Sequence, residues 1–170
     1  FKRQTIRETW GQNDSRSLVL FLIGNVNSTT LEEKINFEYQ VHGDIVQGNF
    51  NDAYRNMTYK HVMALKWFVY NCAEAHFLLK ADDDVFVNSP LMYNILENPS
   101  SSLQKLHQRR LIYCYEIERA KVKRTFRSKW RVSFNEYKKK YFPNHCPGFI
   151  ILYSSDAAFQ LYQEVQKLPY

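Results

Sequence analysis

Phe77-Leu78-Leu79-Lys80-Ala81-Asp82-Asp83-Asp84 decides the reading of this chain. Phe77 to Ala81 is apolar apart from Lys80 and reads as a short strand, and the strand delivers three adjacent carboxylates at its end. Like charges side by side repel, and carboxylates are rarely buried without a partner. A hard divalent cation is one candidate partner, because Mg²⁺ and Mn²⁺ take oxygen ligands and are commonly held by one or two carboxylates plus substrate phosphates. A solvated acidic turn leading into Val85-Phe86-Val87 is the alternative that the residues alone leave open.

Working outward, strands alternate with helices, which predicts an α/β domain with a largely parallel central sheet. Leu18-Val19-Leu20-Phe21-Leu22-Ile23 is a continuous apolar run closed by Gly24, as expected of a strand covered on both faces. Leu31 to Tyr39 reads as a short helix, and Asp44-Ile45-Val46 as a brief strand before a turn at Gly48-Asn49. From Thr58 to Ala73, Val62, Leu65, Val69 and Cys72 recur at helical spacing, with Thr58 as N-cap. Ser89-Pro90 opens another helix, Ser as cap and Pro in the first turn, ending near Asn98-Pro99. Ser100 to Arg110 is polar and reads as a loop. Leu111–Tyr115 and Phe149–Tyr153 are strand candidates, and Ser154-Ser155-Asp156 caps a last helix reaching about Lys167. Open α/β sheets bind ligands at the carboxyl ends of their strands, where the aspartates fall.

The chain has 170 residues, enough for one domain with its own core, and 45% hydrophobic residues with 16% aromatics. No apolar run approaches the length of about 18 residues that a membrane span needs. No signal-peptide pattern opens the chain, and Phe1 leads directly into a motif, so the sequence is expected to begin inside a longer protein. Asn13-Asp14-Ser15, Asn27-Ser28-Thr29 and Asn56-Met57-Thr58 are glycosylation sequons, whereas Asn98-Pro99-Ser100 is excluded by its proline. The three cysteines, Cys72, Cys114 and Cys146, lack metal-site spacing. They permit one disulfide in an oxidising compartment or none.

Net charge is +6, but it is concentrated. Between Arg119 and Lys140 lie ten Lys and Arg against a single acid, Glu136. Phe126, Trp130, Phe134 and Tyr137 are interleaved with them and could stack on bases. A solvated basic loop near donor phosphates or membrane headgroups is the preferred reading, with nucleic acid set aside because basic patches attract polyanions without specificity. A phosphohydrolase with an aspartate nucleophile would need a phosphate-binding loop, and none is evident.

Lys80-Ala81-Asp82-Asp83-Asp84-Val85-Phe86-Val87-Asn88 resembles the nucleotide-sugar motif of the β1,3-glycosyltransferases, the family of β1,3-galactosyl- and β1,3-N-acetylglucosaminyltransferases. Further blocks agree in order. Arg3-Gln4-Thr5-Ile6-Arg7-Glu8-Thr9-Trp10 is similar to the family's Arg-x-x-Ile-Arg-x-Thr-Trp opening, and Phe21-Leu22-Ile23-Gly24 resembles its first core strand. The stretch from Asp44 to Lys60 resembles its longest signature. Lys129-Trp130-Arg131-Val132-Ser133 and Phe142-Pro143-Asn144-His145-Cys146-Pro147-Gly148 echo later blocks, the last with Cys146-Pro147-Gly148-Phe149 in place of Cys-Ser-Gly-x-Gly-Tyr.

The resemblance implies a GT-A-like catalytic domain over residues 1–170, with an N-terminal anchor and stem outside the chain and truncation at the C-terminus. It implies a metal-dependent, inverting hexosyltransferase at the lumenal side of the Golgi membrane. Such an enzyme moves galactose or N-acetylglucosamine from UDP-galactose or UDP-N-acetylglucosamine to a glycan hydroxyl in β1,3 linkage. An inactive relative that binds only UDP and metal is the alternative. Carried over residue by residue, Asp84 and Asp82 are the expected Mn²⁺ ligands. Arg3, Arg7, Asn49, Asp52, Lys60, Asp82 and Asp83 are expected to contact the UDP-sugar. Lys80 is a candidate to approach phosphate or pair with the aspartates, although strand alternation points it away from Ala81, and His145 is a candidate for the acceptor pocket. Convergence of the neighbouring blocks suggests a Cys72–Cys146 disulfide. In the family the general base lies in a Glu/Asp-Asp-Val-x-x-Gly block, expected beyond Tyr170. Asp156 and Glu164 do not match that block.

Overall fold

The computed structural model describes residues 1–12, 14–97 and 109–168. In chain order the elements are α1 (Lys2–Glu8), β1 (Phe21–Asn25), α2 (Thr29–His42), β2 (Ile45–Asn51), α3 (Met57–Asn71), β3 (Phe77–Ala81), α4 (Ser89–Glu97), β4 (Ile112–Tyr113), β5 (Ile150–Ser154) and α5 (Ser155–Val165). A single 3₁₀ turn, Tyr54–Asn56, leads into α3.

The fold is α/β, as the alternation predicts, but parallel pairing is confined to β1 and β2. The other described strands form a separate antiparallel sheet in the order β3-β5-β4. An apolar run says that a strand is buried and nothing about its direction, so the sequence had no means of separating the two cases. β5 lies between its partners. Ile151, Leu152, Tyr153 and Ser154 are all buried, which explains why this strand is apolar without alternation.

Beneath that sheet, Leu65 and Phe68 of α3 meet Ile151 and Tyr153 of β5 and Ala158 and Tyr162 of α5. Ala158 is completely buried, so α5 approaches as closely as a methyl group allows. Asp156 holds the start of α5. Its Oδ1 accepts from Ala157 N at 2.9 Å, and its Oδ2 accepts from Arg110 N at 2.9 Å. Ser154 is the cap position but its side chain makes no cap bond, and Asp156 in the first turn accepts the N–H instead.

Four other expectations are corrected. β2 runs straight through Gly48, which sits in the strand because a Cβ there would lie 2.5 Å from the Phe50 ring and 2.7 Å from the Met63 sulfur. Ser89 is the first residue of α4, and its hydroxyl donates to Trp10 O at 2.7 Å. Asn88 does the capping, its Oδ1 accepting from Leu91 N at 3.1 Å. At the start of α3, the expected cap Thr58 lies inside the helix, and Asn56 precedes Met57. Helix α2 is longer than expected, from the Ser28 cap to Gly43, whose φ of 67° ends it in the left-handed region that glycine adopts freely. The expected helix end at Asn98-Pro99 and the loop from Ser100 lie outside the described residues up to 108.

The disulfide joins Cys114 to Cys146, and Cys72 is the free thiol. Register explains the choice. Tyr113 pairs with Leu152, so Cys114 leaves β4 beside the approach to β5, with a Cα–Cα separation of 5.8 Å to Cys146. Cys72 sits at the far end of α3, packed against the core, where burial pushes its thiol above the usual range. Closing a loop of 32 residues restricts the unfolded chain. Replacing Cys114 and Cys146 together by serine is expected to cost about 2–4 kcal/mol in denaturant unfolding. Cys72→Ser is expected to leave the disulfide peptide intact in a non-reducing digest.

Candidate functional site

β3 ends at Ala81, and Asp82 continues its pairing: Asp82 N donates to Phe149 O at 2.8 Å. Val85 N then donates to Asp82 O at 3.2 Å, so the chain turns at once and presents Asp83 and Asp84 outward. Both line a cleft of about 290 Å³ whose opposite wall is α1 and the turn after it. Lys2, Thr5 and Thr9, one helical face and its continuation, look into the cleft with Trp10. Ile6 lines it too but is otherwise buried and anchors the helix.

The three carboxylates are not left facing one another. Lys2 Nζ donates to Asp83 Oδ1 at 2.8 Å across the cleft. That bond raises the Lys2 pKa above its ordinary value against the opposing effect of desolvation, and the charges of Asp83, Asp84 and Asp82 add to it. Lys80 bonds both the Asp82 carboxylate and the Gly148 carbonyl. Alternation along β3 predicted that Lys80 would turn away, but its four-carbon stem carries the ammonium back to the strand end. Asp84 makes no hydrogen bond or ion pair among the described residues, and it is exposed at the cleft.

Oxygen donors of this kind suit a hard cation, which needs one or two carboxylates when phosphates supply the rest. Asp84 at the cleft, with Asp82 two residues away at the strand end, fits that requirement. Among the described residues no three His, Cys, Asp or Glu side chains converge into a cage made by the protein alone.

Asp52 and Lys60 form a second cluster. Lys60 Nζ donates to Asp52 Oδ1 at 2.7 Å, and Gly24 N donates to Asp52 Oδ2 at 2.9 Å. Burial pushes the Asp52 carboxyl up, but the Gly24 N–H and the Lys60 ammonium outweigh it and hold the carboxyl below its usual range. Gly24 is required for this approach. A Cβ there would lie 2.6 Å from Phe50 O and 2.8 Å from Asp52 N, both backbone atoms that cannot swing aside. Asn49 is exposed on β2.

Arg3 and Arg7 are turned to carboxylates of the protein itself. Arg3 Nε donates to Glu38 Oε1 at 2.7 Å, and its Nη2 bonds Oε2. Arg7 bonds both oxygens of Asp44 at 2.7 Å and reaches Glu38 at 2.8 Å. The pair clamps α1 to α2 and to the residue before β2, which positions the cleft's α1 wall. His145 is likewise committed within its own loop, with Nδ1 2.8 Å from Pro143 O and backbone bonds to Ile117.

Lys2, Thr5, Thr9 and Trp10 escaped the sequence reading as cleft residues, although the last three stand inside the opening Arg3–Trp10 block and Lys2 directly precedes it. The signal was their spacing along one face, which is also what a buried helix shows. Behind β3, His61 Nε2 lies 2.9 Å from the Tyr153 hydroxyl. Burial and, secondarily, Lys80 lower the His61 pKa, and burial raises that of Tyr153 to about 12, so both stay neutral.

The family profile described as Galactosyltransferase matches residues 1–170. The chain belongs to that family. It is similar to beta-1,3-galactosyltransferase 9 of Homo sapiens, 33% identical over 99% of this chain and 45% of that protein. Identity to beta-1,3-galactosyltransferase 5 of Pan troglodytes is 32% over 99% of this chain and 56% of that protein. For beta-1,3-galactosyltransferase 1 of Mus musculus it is 33% over 95% of this chain and 49% of that protein. The chain thus spans about half the length of the curated relatives it matches.

The α1 clamp has a pH signature. Hydrogen bonds from Arg3, then Arg7, outweigh burial and lower the Glu38 carboxyl from 4.5 to about 2. A depressed carboxylate contributes stability that is fully present above its unfolded value and is lost as pH falls through its folded value. Thermal unfolding is therefore expected to lose midpoint between about pH 4.5 and 2. Glu38→Gln is expected to lower the midpoint at neutral pH and to flatten that acid limb.

Proposed function

We propose that the parent protein transfers galactose from UDP-galactose to a glycan hydroxyl in β1,3 linkage, and that the cleft between α1 and Asp83-Asp84 receives the donor. The observation that carries this reading is the carboxylate cluster at the end of β3 facing a cleft, in a chain of the galactosyltransferase family. Galactose is preferred over N-acetylglucosamine because the relatives above bear galactosyltransferase names. A Golgi lumenal setting, with a membrane anchor outside these residues, belongs to the same proposal.

Asp84 and Asp82 would hold Mn²⁺. The ion, when bound, would neutralise charge that grows on the leaving diphosphate. The chain's own residues do the rest. Lys2 exchanges its Asp83 partner for an incoming phosphate oxygen, since an exposed ion pair costs little to break. Thr5 and Thr9 offer hydroxyls along the same wall, and Trp10 closes its end. Lys80 bonds the Asp82 carboxylate and fixes Gly148 beside it. An inverting transfer also needs a base for the acceptor proton. Asp156 is engaged by Arg110, Ser154 and Ala157 at the start of α5, and Glu164 bonds Lys167 at 2.7 Å. We assign the base to the parent protein outside the described residues.

Calorimetric titration of UDP with Mn²⁺ and then with EDTA tests the donor site. Binding is expected only with metal, and Asp84→Asn is expected to weaken it at least about tenfold with the fold intact. Equal binding in EDTA would overturn the metal assignment. Silence in both conditions on folded protein would remove the donor from this cleft.

A further inference from the structure

The segment from Tyr115 to His145 is a constructed surface. The Cys114–Cys146 disulfide closes its neck, with backbone bridges Ile117–His145 and Lys121–Tyr141 above it. Arg124 fixes the interior: its two terminal nitrogens donate to the carbonyls of Val132, Ser133, Tyr137 and Lys139 at 2.7–2.8 Å. Val122 is buried beneath it. With one cation spent inside, the other nine Lys and Arg between Arg119 and Lys140 face a single acid, and that acid is occupied. Glu136 accepts from Ser133 at 2.7 Å and lies 3.6 Å from Arg55.

Rings accompany the charge. Phe126, Trp130 and Phe134 are 87%, 59% and 65% exposed. Each has a cation over one face: Arg131 at 3.9 Å from the Phe126 centroid, Lys129 at 4.7 Å from Trp130 and Arg124 at 4.1 Å from Phe134. The loop adjoins the site at two places. Its neck leads into Gly148 and Phe149, which bond Lys80 and Asp82. Its far part reaches the Tyr54–Asn56 turn through Arg55–Glu136 and Lys129–Tyr54, just ahead of Lys60.

We propose that this loop binds an acidic oligosaccharide, one bearing sulfate or carboxylate groups, and presents its end to the cleft as acceptor. The inference rests on the glycosyl-transfer reading above. Exposed ring faces suit the C–H faces of sugars, and guanidinium and ammonium groups suit sulfate and carboxylate. Continuity with Asp82 selects a chain that must reach the cleft over a bilayer that need not. The fixed loop core fits the same choice, because preorganisation lowers the ordering cost of binding a flexible chain.

The test titrates the full chain with a sulfated chondroitin hexasaccharide and with a neutral chitin hexasaccharide, alongside UDP. The sulfated sugar is expected to bind at least about tenfold more tightly than the neutral one. Lys123→Gln/Lys129→Gln/Lys138→Gln and Phe126→Leu/Trp130→Leu are each expected to weaken it about tenfold with UDP affinity unchanged. Absence of binding by folded protein overturns the proposal. So does an aromatic variant without effect while phosphatidylserine vesicles or duplex DNA bind as tightly as the sugar, which marks a generic polyanion surface. Sugar binding with silence toward UDP supports the oligosaccharide surface and removes the donor reading alone.

Discussion

The antiparallel pairing of β3 with β5 is the constraint on which the rest depends. Five register pairs, from Phe77–Ser154 to Ala81–Ile150, join segments 69 to 77 residues apart in sequence. Each end of that ladder serves a different purpose. At one end Ser155 N bonds His76 O and α5 begins, turning back over α3 to close the core. At the other end the ladder runs one step past the strand, through Asp82 N to Phe149 O, and stops where the carboxylates begin. Burial of Ile151, Leu152 and Tyr153 thus fixes the height of the acidic cluster to within one residue.

Charge is balanced locally around that ladder. Asp82 has Lys80, Asp83 has Lys2, Asp52 has Lys60, and Glu38 with Asp44 has the two arginines of α1. These pairs differ in purpose according to exposure. Arg7 and Asp44 are mostly shielded from solvent, so their bidentate bond holds two elements in place. Lys2 and Asp83 are more than half exposed, where an ion pair is weak and easily exchanged for a ligand. One helix therefore presents a fixed back and a replaceable front.

Much of this was legible in the sequence. β3 has the bounds that its apolar run gave, and the aspartates lie at its end because polar residues cannot continue a covered strand. α3, α4 and α5 follow from periodicity and breakers. What the sequence could not show was set by tertiary contact. Strand direction leaves no mark on an apolar run, so β5 reads equally well as parallel. Gly48 reads as a turn because its tight contact with Phe50 and Met63 is visible only in space. Cys72 and Cys114 were indistinguishable as partners for Cys146 until β4 took its place beside β5. Arg3 and Arg7 stand in the right block, yet their partner Glu38 lies more than thirty residues on, and no local rule pairs them.

The disulfide at the neck has a consequence for how this protein can change. Both cysteines sit where the chain leaves β4 and approaches β5, so everything between them joins the sheet at one sealed point and also touches the frame through exposed contacts at the Tyr54–Asn56 turn. Its interior is organised by its own Arg124. Insertions, deletions and whole replacements in that stretch need not disturb the strands that position Asp82, since loop length adds little to the cost of closure. The molecule is divided into a frame that positions the carboxylates and a cassette that carries its own internal order.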